Sequence, residues 1–450
     1  MFVCAFISKC TRVGAREKVL RVTAHGTSPA ETPRDTVGTQ SADFGLPAHL
    51  AIPELVTLNE PFEGLPSIIT TEGGLKRAAQ KISAAHGPAA IDTERASGIR
   101  YGQRAFLVQI KRGDTGIILI DPECFDDLSI INSALAGVEW VLHASTQDLP
   151  ALVELGMRPD FLFDTELAAR LAGLERVGLG PVVEQLLGYK LAKEHSAADW
   201  SKRPLPAEWL NYAALDVEIL VDLRDALEDL LESQNKLEYA RQEFAYIVAN
   251  PTREPKKDPW RKTKGIQTLR NRRQLTALRN LWTERDHLAR AKDVAPKRLL
   301  PDASLIQAAS SMPRSVPAIL QVPGFQTRAL KREAPRWVRA ISAARNEEHP
   351  VPYTTPAEGP PPLKAWENKR PQSAALIGPC REAVNALGAE MNIPAENLMV
   401  PDTLRKLCWE PPAEADAETI ADALRQLGAR QWQIEAVVPV ILPIFEDILG

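Results

Sequence analysis

Apolar and polar positions over residues 208–231 recur with a helical period. Leu215, Ile219, Leu223, Leu227 and Leu230 fall on one face, and Glu218, Asp222, Asp225, Glu228 and Asp229 lie opposite. The pattern predicts one long amphipathic helix running from Glu208 to about Leu231. Tyr212 and Asp216, four residues apart, stack along the apolar stripe. An ionised carboxylate aimed at a core is costly unless it is paired or binds a metal. Asp216 therefore marks either a buried ion pair or a site.

The rest of the chain takes its elements from the same reading. Residues 1–45 show no sustained period and are expected as a disordered leader. A helix is predicted over Gly74–Ala85, and a buried strand over Ala89–Glu94. Arg104–Lys111 and Gly116–Ile120 read as two strands joined by a hairpin turn at 112–116. A helix over Leu128–Leu135, a strand over Glu139–His143 and a helix over Asp148–Leu155 follow, then helices at Leu162–Leu171 and Gly180–Leu187. Three neighbouring strands followed by strand–helix alternation argue for a mixed sheet flanked by helices. Further on, helices are predicted at Arg272–Ala291, Ser304–Ala309 and Ala329–Arg345, a proline-rich spacer at 349–365, and an all-helical unit at 366–450. The expected organisation is an α/β domain over 46–248, a basic linker over 249–270, and two small all-α units at 271–348 and 366–450. Both units carry a Pro-Asp step, Pro301-Asp302 and Pro401-Asp402, which suggests a diverged duplication.

The formal net charge of −4 hides an asymmetry. Residues 251–349 hold 22 Lys and Arg against 9 Asp and Glu, whereas 366–450 hold 7 against 13. A basic middle between acidic parts points to a polyanion partner, or, more plainly, to a solvated basic face. Lys256, Lys257, Arg261, Lys262 and Lys264, with Trp260 among them, are candidates to track a phosphate backbone and stack a base; a soluble linker is the alternative. The five cysteines are scattered without a C-x-x-C pair, so neither a zinc site nor a disulfide framework is supported. No apolar run is long enough for a membrane span, and a cytoplasmic location is expected. Gly178-Leu179-Gly180 lacks the Lys-Ser/Thr of a phosphate-binding loop.

Asp92 and Glu94 alternate along a strand otherwise built of Ala and Ile, so they share one side of the sheet. Asp148 opens a helix just after the 139–143 strand, at its carboxyl end, where α/β sheets place ligands. If these three converge with Asp216, they form a set of hard oxygen ligands suited to Mg²⁺ or Mn²⁺. Four clustered carboxylates would fit two cations about 4 Å apart, a pair able to clamp a phosphodiester. Tyr212 is then placed to hydrogen-bond an attacking water. Each part also has a plain reading: Asp92 and Glu94 as a strand end, and Asp148 as a helix cap.

Ile91-Asp92-Thr93-Glu94, His143–Leu149 and Tyr212–Val217 stand in the order and spacing of three exonuclease motifs, and by these the chain resembles the ribonuclease D family. That family lies within the DEDD superfamily, in the subgroup with a tyrosine in its third motif. Ala198–Leu205 is similar to the loop that precedes that motif, and 272–348 resembles an HRDC domain, with a fainter likeness over 366–449. The resemblance implies an RNase H-like fold and metal-dependent 3′→5′ removal of nucleoside 5′-monophosphates from RNA, with transfer RNA precursors or other structured 3′ ends as substrates. It implies Asp92, Glu94, Asp148 and Asp216 as ligands to two divalent cations and Tyr212 as the water-orienting residue. No other cofactor is implied, and a monomer is expected. The chain departs from the family after the first motif, where Arg95-Ala96-Ser97-Gly98 replaces a more aromatic run. His143 is expected to pack beneath the site, His195 lies in the loop before Asp199, and Asp164 is a rival for the fourth ligand that resembles a structural position. The competing functions are a DNA-directed 3′–5′ exonuclease and a non-catalytic RNA-binding scaffold, whose mark would be a missing carboxylate.

Overall fold

The structure, a computed structural model, describes residues 55–191, 198–252, 257–354 and 359–449. The leader over 1–45, His195 and Lys256 lie outside the described residues.

The first domain is built on a six-stranded mixed sheet. Its strands are β2 (Ile68–Ile69), β3 (Ala89–Arg95), β4 (Ala105–Arg112), β5 (Ile117–Ile120), β6 (Glu139–Leu142) and β7 (Phe161–Asp164), in the spatial order β2-β5-β4-β3-β6-β7. A separate parallel pair joins β1 (Val56–Leu58) to β8 (Tyr189–Leu191). The hairpin strands β4 and β5 are antiparallel, as are β3 and β4, whereas β3–β6 and β6–β7 are parallel. The helices of this domain are α1 (Glu72–Ala84), α2 (Ser129–Ala134), α3 (Leu149–Glu154), α4 (Thr165–Leu171), α5 (Leu179–Leu187), α6 (Ala207–Glu218), α7 (Leu220–Ser233) and α8 (Leu237–Ala249). β3 is sandwiched between β4 and β6 and buries Ala89, Ala90 and Ile91 completely. It pairs with β6 only at Ala89 and Ala90, so its carboxyl half runs on past the end of β6.

Two predicted elements change. The run Phe161-Leu162-Phe163 is a strand parallel to β6, not the first turn of a helix; an apolar run this short fits either state, and pairing decides. Asp164 then caps α4, accepting from the Glu166 and Leu167 amides at 3.0 and 3.1 Å. The helix predicted from 208 to 231 is interrupted at Ile219 (φ −108°, ψ 0°). At the break, the Lys111 ammonium donates to the Glu218 carbonyl at 3.0 Å and also to the Glu218 carboxylate. A side chain bonded into the helical ladder is a recognised cause of a kink. Glu218, expected on the solvent face, is consequently buried.

Helix α9 (Arg272–Ala291), with segments Asp302–Ser311 and Ala334–Asn346, forms the second domain. Its last segment begins afresh after a short helix at Arg328–Arg332, so the helix predicted over Ala329–Arg345 is broken at Glu333; Pro335 stands in the first turn of the new helix, where a missing amide is harmless. The expected linker is part of this unit: Trp260 and Leu269 are buried in its core. The third unit repeats the plan, with helices Pro371–Met391, Pro401–Trp409 and Gln431–Leu449. The two Pro-Asp steps open the second long helix in both units, which extends the likeness beyond a dipeptide.

Both helical units are fastened to the first domain. The loop after β3 meets α9: the Arg104 guanidinium donates twice to Asp293 at 2.8 Å, the Tyr101 hydroxyl donates to Asp286 at 3.0 Å, and the Ala295 amide donates to the Ile99 carbonyl at 2.9 Å. The third unit docks on α8, where Arg430 pairs with Glu243 and the Trp432 indole donates to the same carboxylate at 2.9 Å. Gly173 (φ +79°) admits Asn392 so closely that a Cβ would stand 2.1 Å from its side chain. No helix among the described residues is long and apolar enough to cross a membrane.

Candidate active site

Strand alternation on β3 and the inward face of α6 bring Asp92, Glu94 and Asp216 together. One carboxylate oxygen from each lies within 4.8 Å of the others. Glu94 and Asp216 are buried and Asp92 half-buried. Asp216 is thus no ordinary core residue. Burial, then the charges of Asp148 and Asp216, holds the Asp92 carboxyl well above the usual range. Burial, then Asp92 and Asp216, does the same for Glu94. Tyr212, one turn before Asp216, hydrogen-bonds its carboxylate, and burial together with the surrounding carboxylates pushes the phenol far up. Tyr212 therefore keeps its proton at neutral pH.

Asp148 joins from the end of β6. It opens α3 without a side-chain capping bond, which removes the plain reading of it as a helix cap. Instead it accepts from the Thr93 hydroxyl at 2.6 Å and pairs with the Arg95 guanidinium at 3.5 Å. Burial raises its carboxyl to about 6, against the opposing pull of Arg95 and Thr93. Arg95 is anchored in turn by the Gln147 carbonyl. The four carboxylates, Tyr212 and Arg95 line one cavity of about 250 Å³.

Arg95 and Thr93 are site residues that the sequence pattern leaves out. Alternation sets them opposite Asp92 and Glu94, and so away from the ligands. But β3 outruns its pairing with β6 and its register with β4 slips between Glu94 and Arg95, and there the Thr93 hydroxyl and the Arg95 guanidinium both reach Asp148. A cation directly after an acidic pair is the available signal.

The neighbouring residues take structural parts. Asp164 accepts from the Ala144 and Ser145 amides at 3.1 and 2.8 Å and from the Ser145 hydroxyl at 2.6 Å, besides capping α4. It fixes the turn that presents Asp148, including Ala144 at φ 56°, and stands apart from the carboxylate cluster. His143 Nδ1 lies 2.9 Å from the Thr165 hydroxyl, which itself donates to the Leu142 carbonyl. Burial holds the imidazole below its usual pKa, and hence neutral. In the loop before α6, Trp200 is fully buried and Arg203 binds Asp121 and the Phe106 carbonyl.

Of the candidate nucleic-acid contacts, Lys257, Lys262 and Lys264 are exposed. Trp260 is not available to stack a base: it is 3 % exposed, its indole donates to Asp258, and Arg261 lies over its ring. Arg261 is spent on Asp258 and on the Pro352 and Tyr353 carbonyls.

Comparison with known proteins follows the same three-part division. A family model described as 3′-5′ exonuclease matches residues 66–232, and one described as HRDC domain matches 274–341. The last unit, expected as HRDC-like, is matched over 359–445 by a model of its own, the 3′ to 5′ exonuclease C-terminal domain. Ribonuclease D of Granulibacter bethesdensis is 29% identical over 339 residues, 73% of this chain and 82% of that protein. Ribonuclease D of Gluconacetobacter diazotrophicus is 30% identical over 329 residues, 71% of this chain and 81% of that protein. A crystal structure of a protein from Bifidobacterium adolescentis superposes with a TM-score of 0.78 at 38% identity, covering 87% of this chain and 100% of the other. Escherichia coli RNase D, described as an exoribonuclease involved in structured RNA processing, superposes with a TM-score of 0.61 over 80% of this chain and 98% of its own, and at 24% identity it supports the fold. The chain belongs to the ribonuclease D family and is a 3′→5′ exoribonuclease.

Proposed function

We propose that the chain trims the 3′ ends of structured RNA, transfer RNA precursors among them, by hydrolysis at a site for two divalent cations. The observation that carries this reading is the convergence of the Asp92, Glu94 and Asp216 oxygens within 4.8 Å. Three hard, like-charged donors, with the protons of Asp92 and Glu94 bound abnormally tightly, fit a divalent cation such as Mg²⁺ or Mn²⁺, and Asp148 across the cavity fits a second. Bound there, two such cations would polarise the phosphodiester and acidify the attacking water.

The side chains do the rest. Asp216 accepts a hydrogen bond from the Tyr212 hydroxyl, which leaves the phenol oxygen to accept a hydrogen bond from the water and so to aim the water's lone pair at phosphorus. Thr93 and Asp164 hold Asp148 and its turn in place. The water–phosphorus bond forms as the bond from phosphorus to the 3′ oxygen breaks, leaving a 3′ hydroxyl on the shortened RNA and a 5′-phosphate on the released nucleotide. The exposed Lys257, Lys262 and Lys264 would contact the phosphates of the RNA body, a reading that their exposure supports.

The test is mass analysis of products from a 3′-labelled structured RNA, with and without chelator. Nucleoside 5′-monophosphates released only without chelator support the reading. Chelator-resistant release, or endonucleolytic fragments, overturns it. A matched DNA oligomer cleaved as fast as RNA would point instead to a DNA-directed enzyme.

A further inference from the structure

Among the described residues that line the carboxylate cavity, Arg95 is the one that carries a positive charge. It sits next to Glu94, pairs with Asp148 at 3.5 Å, and is tied down by the Gln147 carbonyl. Its side chain is 20% exposed, against 7% for Asp148, so the guanidinium closes the carboxylate off from one side while one flank stays open to the cavity. We propose that Arg95 is a resident cation: it holds Asp148 in the RNA-free protein and passes to the scissile phosphate when RNA and the second divalent cation arrive.

The inference rests on the two-cation reading above and adds an order of events to it. A guanidinium and a divalent cation on the same carboxylate repel each other, and at these separations the repulsion is strong even in a polar surrounding. Asp148 thus cannot take a divalent cation at full affinity while Arg95 is in place. The charge of Arg95 also reaches Asp92 and Glu94, but as the weakest influence on either, whereas on Asp148 it is second only to burial; the Asp92–Glu94–Asp216 cluster can therefore bind first. RNA supplies what displaces the arginine: a phosphate whose paired oxygens match the guanidinium fork better than one carboxylate oxygen at 3.5 Å does. The protein would then load one cation alone and the second only with substrate, which protects a four-carboxylate site from idle occupancy.

The experiment counts Mn²⁺ bound to the full chain, by titration calorimetry and by the paramagnetic signal of free Mn²⁺. Wild type without RNA should bind one ion tightly and a second at least about tenfold more weakly. Arg95→Ala should bind two at similar strength, and Arg95→Ala with Asp148→Asn one again. Arg95→Lys, which keeps the charge, should stay at one. Arg95→Gln serves in place of the alanine variant should that one fold poorly. Wild type carrying two tight ions without RNA, or Arg95→Ala still carrying one, overturns the role of Arg95. A last arm separates this from the parent reading: wild type with an RNA oligomer made hydrolysis-resistant by a methylene in place of the bridging 3′ oxygen of its terminal linkage, which keeps both non-bridging oxygens. Two ions there keep the two-cation site even when Arg95 has no part in it; one ion there sinks the two-cation site itself.

Discussion

Asp92 and Asp293 stand near the two sides of one loop, residues 96–104, and their surroundings drive them in opposite directions. Asp92 looks at Asp148 and Asp216 and is pushed up in pKa by burial and by like charges. Asp293, just past α9, is pulled down, first by its hydrogen bonds from Arg104 and then by the Tyr101 amide and Arg100. One carboxylate is neutralised by its own chain, and the other belongs to a group whose negative charge the chain leaves largely uncompensated. Charge satisfied internally holds the second domain in place. Charge left over must be satisfied from outside, and that separates the reactive end of the loop from its structural end.

The hardest break of the comparison is to take a carboxylate out of the cluster. Asp216→Ala should lower turnover by roughly a thousandfold or more, on the order of 4 kcal/mol of barrier, with RNA binding retained. Single-turnover cleavage alongside an equilibrium binding assay checks both, and cleavage near the wild-type rate would refute the assignment of Asp216. The complementary effect is on stability. Glu94→Gln relieves like-charge repulsion, so without divalent cation its melting temperature should exceed that of wild type, and added Mg²⁺ should narrow the gap. A lower melting temperature in chelator would show that Glu94 is satisfied internally after all.

Tyr212→Phe comes next. It keeps the ring and removes only the hydroxyl that bonds Asp216 and that, on the proposed mechanism, would hold the water, so the rate should fall by roughly a hundredfold, with KM little changed. A loss confined to KM would make Tyr212 a contact for the terminal nucleotide rather than a positioning group for water.

Breaking the satisfied end costs less. Asp293→Ala removes the carboxylate paired with Arg100 and one of the two on Arg104, which keeps Glu123; the Asp293 side chain is 37 % exposed, so solvent screening limits the loss to about 1 kcal/mol. The sign with pH follows from its depressed pKa. The contribution is present above the unfolded value near about 3.9 and is lost as pH falls through the lower folded value. Wild type and variant should therefore differ at neutral pH and converge in acid, as denaturant midpoints across pH would read. A constant gap down to the acid limit would assign the loss to packing.

Much of this contrast is legible in the amino-acid pattern. Asp92, Glu94 and Asp216 stand out because alternation and helical period set carboxylates on apolar faces, Asp148 because it follows the carboxyl end of a strand, and Tyr212 by its four-residue offset from Asp216; the family resemblance joins the five, and they do line one cavity. The long helix α9 is predicted to the residue from its apolar period, and in the structure Asn271 caps it by accepting from the Gln274 amide. What escapes is decided by partners distant in sequence. β1, β2 and β8 are two or three residues long and exist through pairing. The break at Ile219 and the burial of Glu218 depend on Lys111, more than a hundred residues earlier. Arg95 escapes because parity along a strand says nothing of where the neighbouring strand stops. Trp260 reads as a stacking platform because a tryptophan among lysines looks the same in sequence whether a core lies beneath it or not.

That last correction shapes the smallest expected effect. With Trp260 buried and Arg261 engaged, the proposed grip of residues 257–264 on RNA would reduce to the exposed lysines Lys257, Lys262 and Lys264, and its action would be purely electrostatic. Point charges on phosphates release counterions, at roughly 0.7 per contact for a single strand on a logarithmic salt plot. Changing all three to Gln should therefore flatten the slope of RNA affinity against salt by about 2, with little change in melting temperature, since none of the three is buried. A stacking residue would contribute affinity that survives at high salt, so wild type should keep no salt-resistant affinity that a Trp260→Phe variant lacks. An unchanged slope in the triple variant would move the RNA-binding face elsewhere on the basic second domain. There the cations of Arg279, Arg285 and Arg336 are already paired with Glu347, Asp302 and Glu284, while Arg328, Lys331, Arg332 and Arg339 stand exposed. The same rule that distinguishes Asp92 from Asp293 then applies to the opposite sign of charge: within that domain, an arginine already neutralised by a carboxylate has less to offer a phosphate than one that faces solvent.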